Sequence, residues 1–379
     1  MSRLGPTVIL SVSAAMLMLG VGMIVALLPQ RVYAATGSLE AVGLVASVFA
    51  VAYLLAQMPI GVLSDRIGAK PLLIVGYVLC GLAGLIFYGW RGADAVLFAR
   101  VVQGVGEAPV WALGPVILSL ARPHTKGREI GIYNAAIHAG LMCGPIAGFL
   151  LSPTGQSQAP FLVFAVLAFA AAAMTMVCLP ATAARSTARR STGIGSLGRL
   201  LAVPDLGATF VGIVLYGAAY GTFLTVLPAS LTLTHGFDAR AASGLFVVFY
   251  AAIGLSQLVV GPLCDRFGRA PFMAGGMVLA CAGLAAFPAV EGVSVYVPLA
   301  AASLGLGAFC VASLAELADR VPVELRGATS GSYYLAWGLG YVLGPLGIAA
   351  MSANDARLGY DVLAGALALQ VLVAWRLRR

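Results

Sequence analysis

Charge is scarce in this chain. Asp, Glu, Lys and Arg make up 9% of its 379 residues, against about 25% in a soluble globular domain. So few charges cannot cover a water-exposed surface of ordinary size, and mean hydropathy is +0.99. Histidine is scarcer still, with His124, His138 and His235 each in a different segment. Such scattered residues give no sign of a metal cluster or a catalytic triad. No HExxH, GxSxG or phosphate-binding loop occurs, and Gly104-x-Gly106 lies inside an apolar run instead of following a strand. The six cysteines (Cys80, Cys143, Cys178, Cys264, Cys281 and Cys310) include no CxxC pair, so neither disulfides nor a metal site is implied. An enzyme is therefore not expected, and neither is a cofactor or a bound metal.

What the chain has in abundance is long apolar runs. Twelve are close to the roughly 20 residues that cross a bilayer, near 7–29, 40–62, 71–90, 94–120, 128–151, 159–181, 204–233, 239–263, 271–290, 294–315, 328–351 and 358–375. They are continuously apolar, which excludes a closed barrel of short alternating strands. The first run follows Arg3 and precedes Ala34-Ala35, as a secretory signal might, but it is too long for one and is read as a retained helix. Of the 22 basic residues, seventeen fall in the termini and inner loops when both ends are cytoplasmic. Four (Arg31, Arg91, Arg240 and Arg357) fall in the outer loops, and Arg100 lies within a run. Positive charge on the cytoplasmic side sets that orientation. The net charge of +8 is thus a topology signal, scattered over short loops and unsuited to a nucleic-acid partner.

Fifteen residues occur twice, 200 positions apart. Gln57-Met-Pro-Ile-Gly61-Val-Leu63-Ser-Asp65-Arg66-Ile-Gly68-Ala-Lys70-Pro71 returns as Gln257-Leu-Val-Val-Gly261-Pro-Leu263-Cys-Asp265-Arg266-Phe-Gly268-Arg269-Ala-Pro271, with seven positions identical. The register persists: Gly127, Gly131, Tyr133, Gly140, Gly144 and Pro145 correspond to Gly327, Gly331, Tyr333, Gly340, Gly344 and Pro345. Residues 182–203 are polar, rich in Arg and small residues, and read as a cytoplasmic linker. The expected organisation is an all-α polytopic membrane protein with twelve spans in two pseudo-symmetric six-helix bundles, 1–181 and 204–379. Duplicated membrane halves usually mean transport, with the substrate site between them.

These motifs resemble the major facilitator superfamily over the whole chain. Gly61-x-Leu63-x-Asp65-Arg66-x-Gly68-x-Lys70 is similar to its loop signature between the second and third spans. Arg100-x-x-Gln103-Gly104-x-Gly106 is similar to its fourth-span signature. Gly140-x-x-x-Gly144-Pro145-x-x-Gly148 is similar to the fifth-span signature of its proton-coupled antiporters. Gly22 and Pro29, taken as ending the first helix, resemble the twelve-span drug and metabolite exporters, including arabinose-efflux-like permeases. The chain departs from the pattern where Phe149 follows Gly148, where Glu107 follows Gly106, and in a first span without an acidic residue. The resemblance implies the major facilitator fold in a bacterial inner membrane, a monomer, and a small-molecule substrate exchanged with protons. It also implies a gating latch formed by Gly61, Asp65, Arg66, Gly68 and Lys70, with Asp265 and Arg266 as the repeat's counterpart.

The residues themselves add candidates. An Asp65 carboxylate in a turn made by Gly61 and Gly68 can face a helix N-terminus, which favours negative charge; simple topology anchoring is the alternative. Arg100, Gln103, Glu107 and Trp111 are spaced by three, four and four and share one helical face. Arg100 and Glu107 then lie about 10.5 Å apart along the axis, so Gln103 or water would have to bridge them. Ions at that depth are expensive and must face a cavity or a partner. Proton coupling or substrate contact is one role for Glu107, and a fixed ion pair is the other. His138 could relay protons or be a neutral core histidine, with Asn134 one turn earlier. Gly140, Gly144 and Gly148 form a small-residue seam, either sliding between the halves or simply tightly packed, and Gly340, Gly344 and Pro345 form its counterpart. Pro145 permits a bend. Tyr53, Trp111, Asn134, Tyr216, Tyr220, Tyr250, Tyr333 and Trp337 are possible substrate-lining residues, though aromatics also anchor spans at the interface.

The leading expectation is a secondary transporter working by alternating access, most simply a proton-driven exporter of a drug-like compound or metabolite. Uptake by symport, passive facilitation and export of a metal-chelating metabolite are the alternatives. A membrane enzyme or a receptor is disfavoured.

Overall fold

The computed structural model describes residues 5–25, 27–37, 39–90, 92–152, 157–180, 206–234, 239–351 and 357–377. In chain order they form α1 (Pro6–Val25), α2 (Leu27–Thr36), α3 (Leu39–Ile67), α4 (Ala69–Gly89), α5 (Ala93–Ala121), α6 (Lys126–Leu151) and α7 (Ala159–Cys178). The second half continues with α8 (Leu206–Thr234), α9 (Ala239–Phe267), α10 (Ala270–Ala286), α11 (Tyr296–Arg320), α12 (Arg326–Met351) and α13 (Leu358–Leu377). No strand occurs among the described residues. Helices are the expected answer to apolar runs, because each satisfies its own backbone polar groups where water cannot. Ten are long and apolar enough to cross a membrane, and Leu358–Val373 adds a shorter apolar stretch. This is a multi-pass membrane protein. The linker expected at 182–203 lies outside the described residues.

One boundary is corrected. Pro29 does not end the first helix but is the third residue of α2. A proline in a first turn removes an amide that has no intrahelical acceptor there, so the chain stays helical around it.

Two compact units can be distinguished. One comprises Met1–Pro123, Ala136–Ser196 and Pro322–Tyr334; the other comprises His124–Ala135, Leu197–Val321 and Leu335–Arg379. The start of α12 thus groups with the first unit and the start of α6 with the second. Within each unit small residues let helices approach to backbone distance. In the first, Gly76 of α4 faces the Gly106 carbonyl of α5, and Gly104 faces the Phe49 carbonyl of α3. In the second, Gly276 of α10 faces the Gly305 carbonyl of α11.

Candidate functional site

Glycine contacts on two sides bring α5 close to its neighbours and bury the polar face expected from the spacing. Arg100, Gln103 and Glu107 are 8%, 0% and 3% exposed. Arg100 Nη1 donates to Gln103 Oε1 at 3.0 Å, and Gln103 Nε2 donates to Glu107 Oε1 at 2.7 Å. Trp111 follows Glu107 by four residues on the same face of α5. Gln103 is therefore the bridge between guanidinium and carboxylate. Arg100 is held further by the Val45 carbonyl of α3 at 3.0 Å and by the Phe49 ring, 4.3 Å from its guanidinium carbon. Tyr53 stacks on that same Phe49. The row can hold or release one proton at Glu107 while Arg100 keeps its charge, because a guanidinium does not deprotonate in proteins.

His138 of α6 is buried, and its ring meets Trp111 edge-on at 6.2 Å. Asn134, one turn earlier, belongs to the other unit, where its Nδ2 donates to Cys310 Sγ at 3.8 Å. The two polar residues of α6 thus serve different neighbourhoods.

The duplicated motif folds into two matching seats. Gly68 and Gly268 take φ of 89° and 86°, a left-handed conformation that glycine adopts without a Cβ clash. Each turn leaves the preceding carboxylate at a helix start. Asp65 accepts from the Gly327 and Ala328 amides of α12, both at 3.0 Å. Asp265 accepts from the Gly127 and Arg128 amides of α6, at 2.9 and 2.8 Å. Unpaired amides and the helix dipole favour a negative charge there. Gly61 acts differently from the expectation that it shapes the turn. It lies inside α3, where a Cβ would strike the Gly327 carbonyl, and Gly261 meets the Gly127 carbonyl likewise. Gly131 and Gly331 complete the crossings against the Gln257 and Gln57 carbonyls. Gln57 and Gln257 are fully buried, and their side-chain amides find no partner among the described residues.

Other members of the motif face elsewhere. Lys70 donates to the Met176 and Leu179 carbonyls at 2.8 and 2.5 Å, closing the C-terminal end of α7. Arg66 is exposed, and so is Arg266, which lies over the Phe267 ring. Sequence reasoning missed a charge network behind Asp265. Arg269 pairs with Asp265 at 2.7 Å and with Asp319 at 3.2 Å, and Asp319 also pairs with Lys126. Burial works against the Arg269 charge, but Cys264, Asp265 and Asp319 around it outweigh burial and raise its pKa above the ordinary arginine value. Basic and acidic residues near each turn were visible beforehand; their pairing across 50 and 193 positions was not.

The glycine seam packs inside one unit. Gly140, Gly144 and Gly148 lie against Ala15, Leu19, Gly22 and Met23 of α1, with Pro145 beside Gly22. Gly340 and Gly344 meet Val214 and Ala218 of α8 in the same way, and Pro345 lies by Gly221. Among the lining candidates, Tyr216, Tyr220 and Trp337 join Phe309 and Tyr341 in a connected aromatic cluster, and Tyr250 joins through Phe249. Tyr333 is fully buried and packs on Tyr334.

Comparison with known proteins adds to this geometry. The family model for the Major Facilitator Superfamily matches residues 10–205 and 209–379. An uncharacterized MFS-type transporter of Methanocaldococcus jannaschii is 33% identical over 159 residues, 41% of this chain and 40% of that relative's length. The class C tetracycline resistance protein of Escherichia coli is 25% identical over 353 residues, covering 89% of this chain and 87% of the relative. A crystal structure of a human organic anion transporter superposes with a TM-score of 0.86, 15% identity and coverage of 97% of this chain and 98% of that one.

Proposed function

This chain belongs to the Major Facilitator Superfamily and has its fold, and we propose that it is a secondary active transporter that exports a small organic molecule in exchange for protons. The observation that carries this reading is the buried row Arg100–Gln103–Glu107, a titratable carboxylate wired into an otherwise apolar helix. Ionisable groups at that depth are costly and mark ion or substrate paths. Likeness to a tetracycline resistance protein favours a drug-like or metabolite cargo moving outward.

In this reading bundles 1–181 and 204–379 are joined by 182–203 and alternate access to a midplane site. Both termini face the cytoplasm of a bacterial cell, in the inner membrane, and the monomer is the working unit. Asp65 and Asp265, held at their helix starts, act as latches that form and break during the cycle. Desolvation and the nearby guanidinium act on Glu107 in opposite senses, so a change in its surroundings moves its proton. His138 and the aromatic cluster are the candidate cargo-facing groups.

The test uses proteoliposomes with an imposed pH gradient and tetracycline as first probe, followed by a panel of drug-like compounds. Flux should collapse with the gradient, and Glu107→Gln should lower gradient-driven flux at least about tenfold, the rate scale of a lost proton-transfer group, at unchanged protein yield. Flux indifferent to the gradient would assign facilitation, and accumulation along the proton gradient would assign symport. Full gradient-driven activity in Glu107→Gln removes Glu107 from the mechanism.

A further inference from the structure

Gln57 of α3 and Gln257 of α9 hold the same place in the two copies of the duplicated motif, eight residues before Asp65 and Asp265. Both are 0% exposed, and neither side-chain amide makes a hydrogen bond among the described residues. A buried carboxamide ordinarily finds partners for its oxygen and its nitrogen. Each of these residues sits where two backbones touch. A Cβ on Gly331 of α12 would strike the Gln57 carbonyl, and one on Gly131 of α6 would strike the Gln257 carbonyl. The polar side chains that follow on the crossing helices are engaged elsewhere. Ser330 donates to the Ala112 carbonyl, and Ser332 donates to Met58 Sδ at 3.1 Å. On α6, Asn134 donates to Cys310 Sγ at 3.8 Å. The same mismatch therefore stands at both crossings, which an accident of packing in one half does not explain.

We propose that Gln57 and Gln257 are release elements. Each amide is unmatched while its crossing is closed, finds hydrogen bonds when the crossing opens, and so works against the aspartate seat on the same helix. This rests on the reading of both seats as latches. The two effects have opposite sign. Asp65 accepts two amides only when α12 is in place, and bonds to an ionised acceptor are the strong ones. Gln57 is unmatched in that same state, because the α12 backbone at Gly331 covers the stretch of α3 that carries it. A polar group buried without a partner raises the free energy of the state that buries it. Asp265 and Gln257 oppose each other in the same way against α6. Eight residues put seat and amide about 12 Å apart along the helix axis, so they act at different points of one crossing. A seat alone would hold the crossing shut, whereas a seat opposed by an unmatched amide can open and close.

Amide hydrogen exchange of the full chain in lipid nanodiscs tests this at residues 327–334 for Gln57→Met and at 127–134 for Gln257→Met. Methionine keeps the unbranched shape of glutamine and removes the amide. Each change should slow exchange at its own crossing by about tenfold, the effect of one buried group relieved of its mismatch. Asp65→Asn should speed exchange at 327–334, and adding Gln57→Met should bring it back toward the wild-type rate. Faster exchange in the methionine variants would mean that each amide has a partner in the closed crossing; that result, or unchanged exchange, overturns the proposal. Gln57→Leu and Gln257→Leu repeat the test with a second apolar shape. Amides of α10 and α11 are the folding reference. If both apolar variants at a site disturb them, the proposal also fails, because removing an unmatched group does not cost stability. Exchange needs no cargo, so it decides even where tetracycline is not carried. Where it is carried, gradient-driven flux should fall in both methionine variants, since a firmer crossing opens less often; undiminished flux with slowed exchange overturns the role in release. Slowed exchange with flux indifferent to the pH gradient keeps the release elements and rejects only proton-coupled export.

Discussion

The two carboxylate seats are alike in backbone and unlike in charge. Asp65 and Asp265 each follow four residues after a close-approach glycine, precede a left-handed glycine, and accept two amides at the start of a helix from the other half of the sequence. Behind Asp265 stand Arg269, Asp319 and Lys126. At the positions 200 residues earlier stand Ala69 and Ser119, with Arg326 opposite Lys126, and among the described residues no cation pairs with Asp65. The duplicated unit has kept what the helix start demands, two amides and no Cβ in the way. It has not kept the ion pairs, which a carboxylate at a helix N-terminus does not need for its own stabilisation. The second seat should accordingly be the harder to break, and an opening cycle should release the first seat before it.

The comparison is broken most severely at its shared element. Gly61→Leu and Gly261→Leu each drive a side chain into a backbone carbonyl of the crossing helix. Neither helix can yield without giving up the carboxylate seat. Each change should cost about 3 kcal/mol or more, beyond ordinary overpacking, and abolish transport in a proteoliposome assay. Loss should be equal in both. If one variant keeps wild-type flux, the two crossings are not equivalent even in backbone.

The charges sharpen the difference. Asp65→Asn keeps one amide acceptor and loses the charge-assisted pair, at about 1–2 kcal/mol. Asp265→Asn does the same and strips Arg269, whose side chain is 11% exposed, of its shorter ion pair. That raises the cost to about 2–3 kcal/mol, below the figure for a fully buried pair because the site is partly solvated. Unfolding in mixed micelles would measure both. Equal losses would mean that the network adds nothing to the second seat. In transport, Asp65→Asn should slow cycling and leave substrate binding in place.

What could be read from the chain follows a physical divide. The seats were legible because a glycine, an aspartate and a second glycine recur at fixed register, and each residue type has one use at a helix start. The row on α5 was legible because spacing alone puts Arg100, Gln103, Glu107 and Trp111 on one face, with a gap that Gln103 or water had to span. The contacts of Lys70 were not legible, since its long side chain reaches the Met176 and Leu179 carbonyls, a choice that depends on a helix a hundred residues away. The same limit hid the pairing of Lys126 with Asp319 and the packing of Tyr334 on Trp111. Tertiary proximity decides those contacts, and no local periodicity encodes it. Pro29 was misread because a proline signals a helix end or a helix start equally well.

The mildest probe of the two seats is Lys126→Met. Lys126 is buried, but its partner Asp319 is 40% exposed and is shared with Arg269. Half-solvated pairs are worth about 0.2–1 kcal/mol, and salt screens them. Removing Lys126 leaves Asp319 with Arg269, so the Asp265 seat should lose no more than that, and raising the ionic strength should erase the difference from wild type. A loss as large as that of Asp265→Asn, persisting in high salt, would show that Lys126, Asp319, Arg269 and Asp265 act as one cooperative unit. The contrast between the seats would then lie in a network that forms or fails as a whole, and the order in which the seats open would be set at Lys126, where α6 begins, as much as at Asp265.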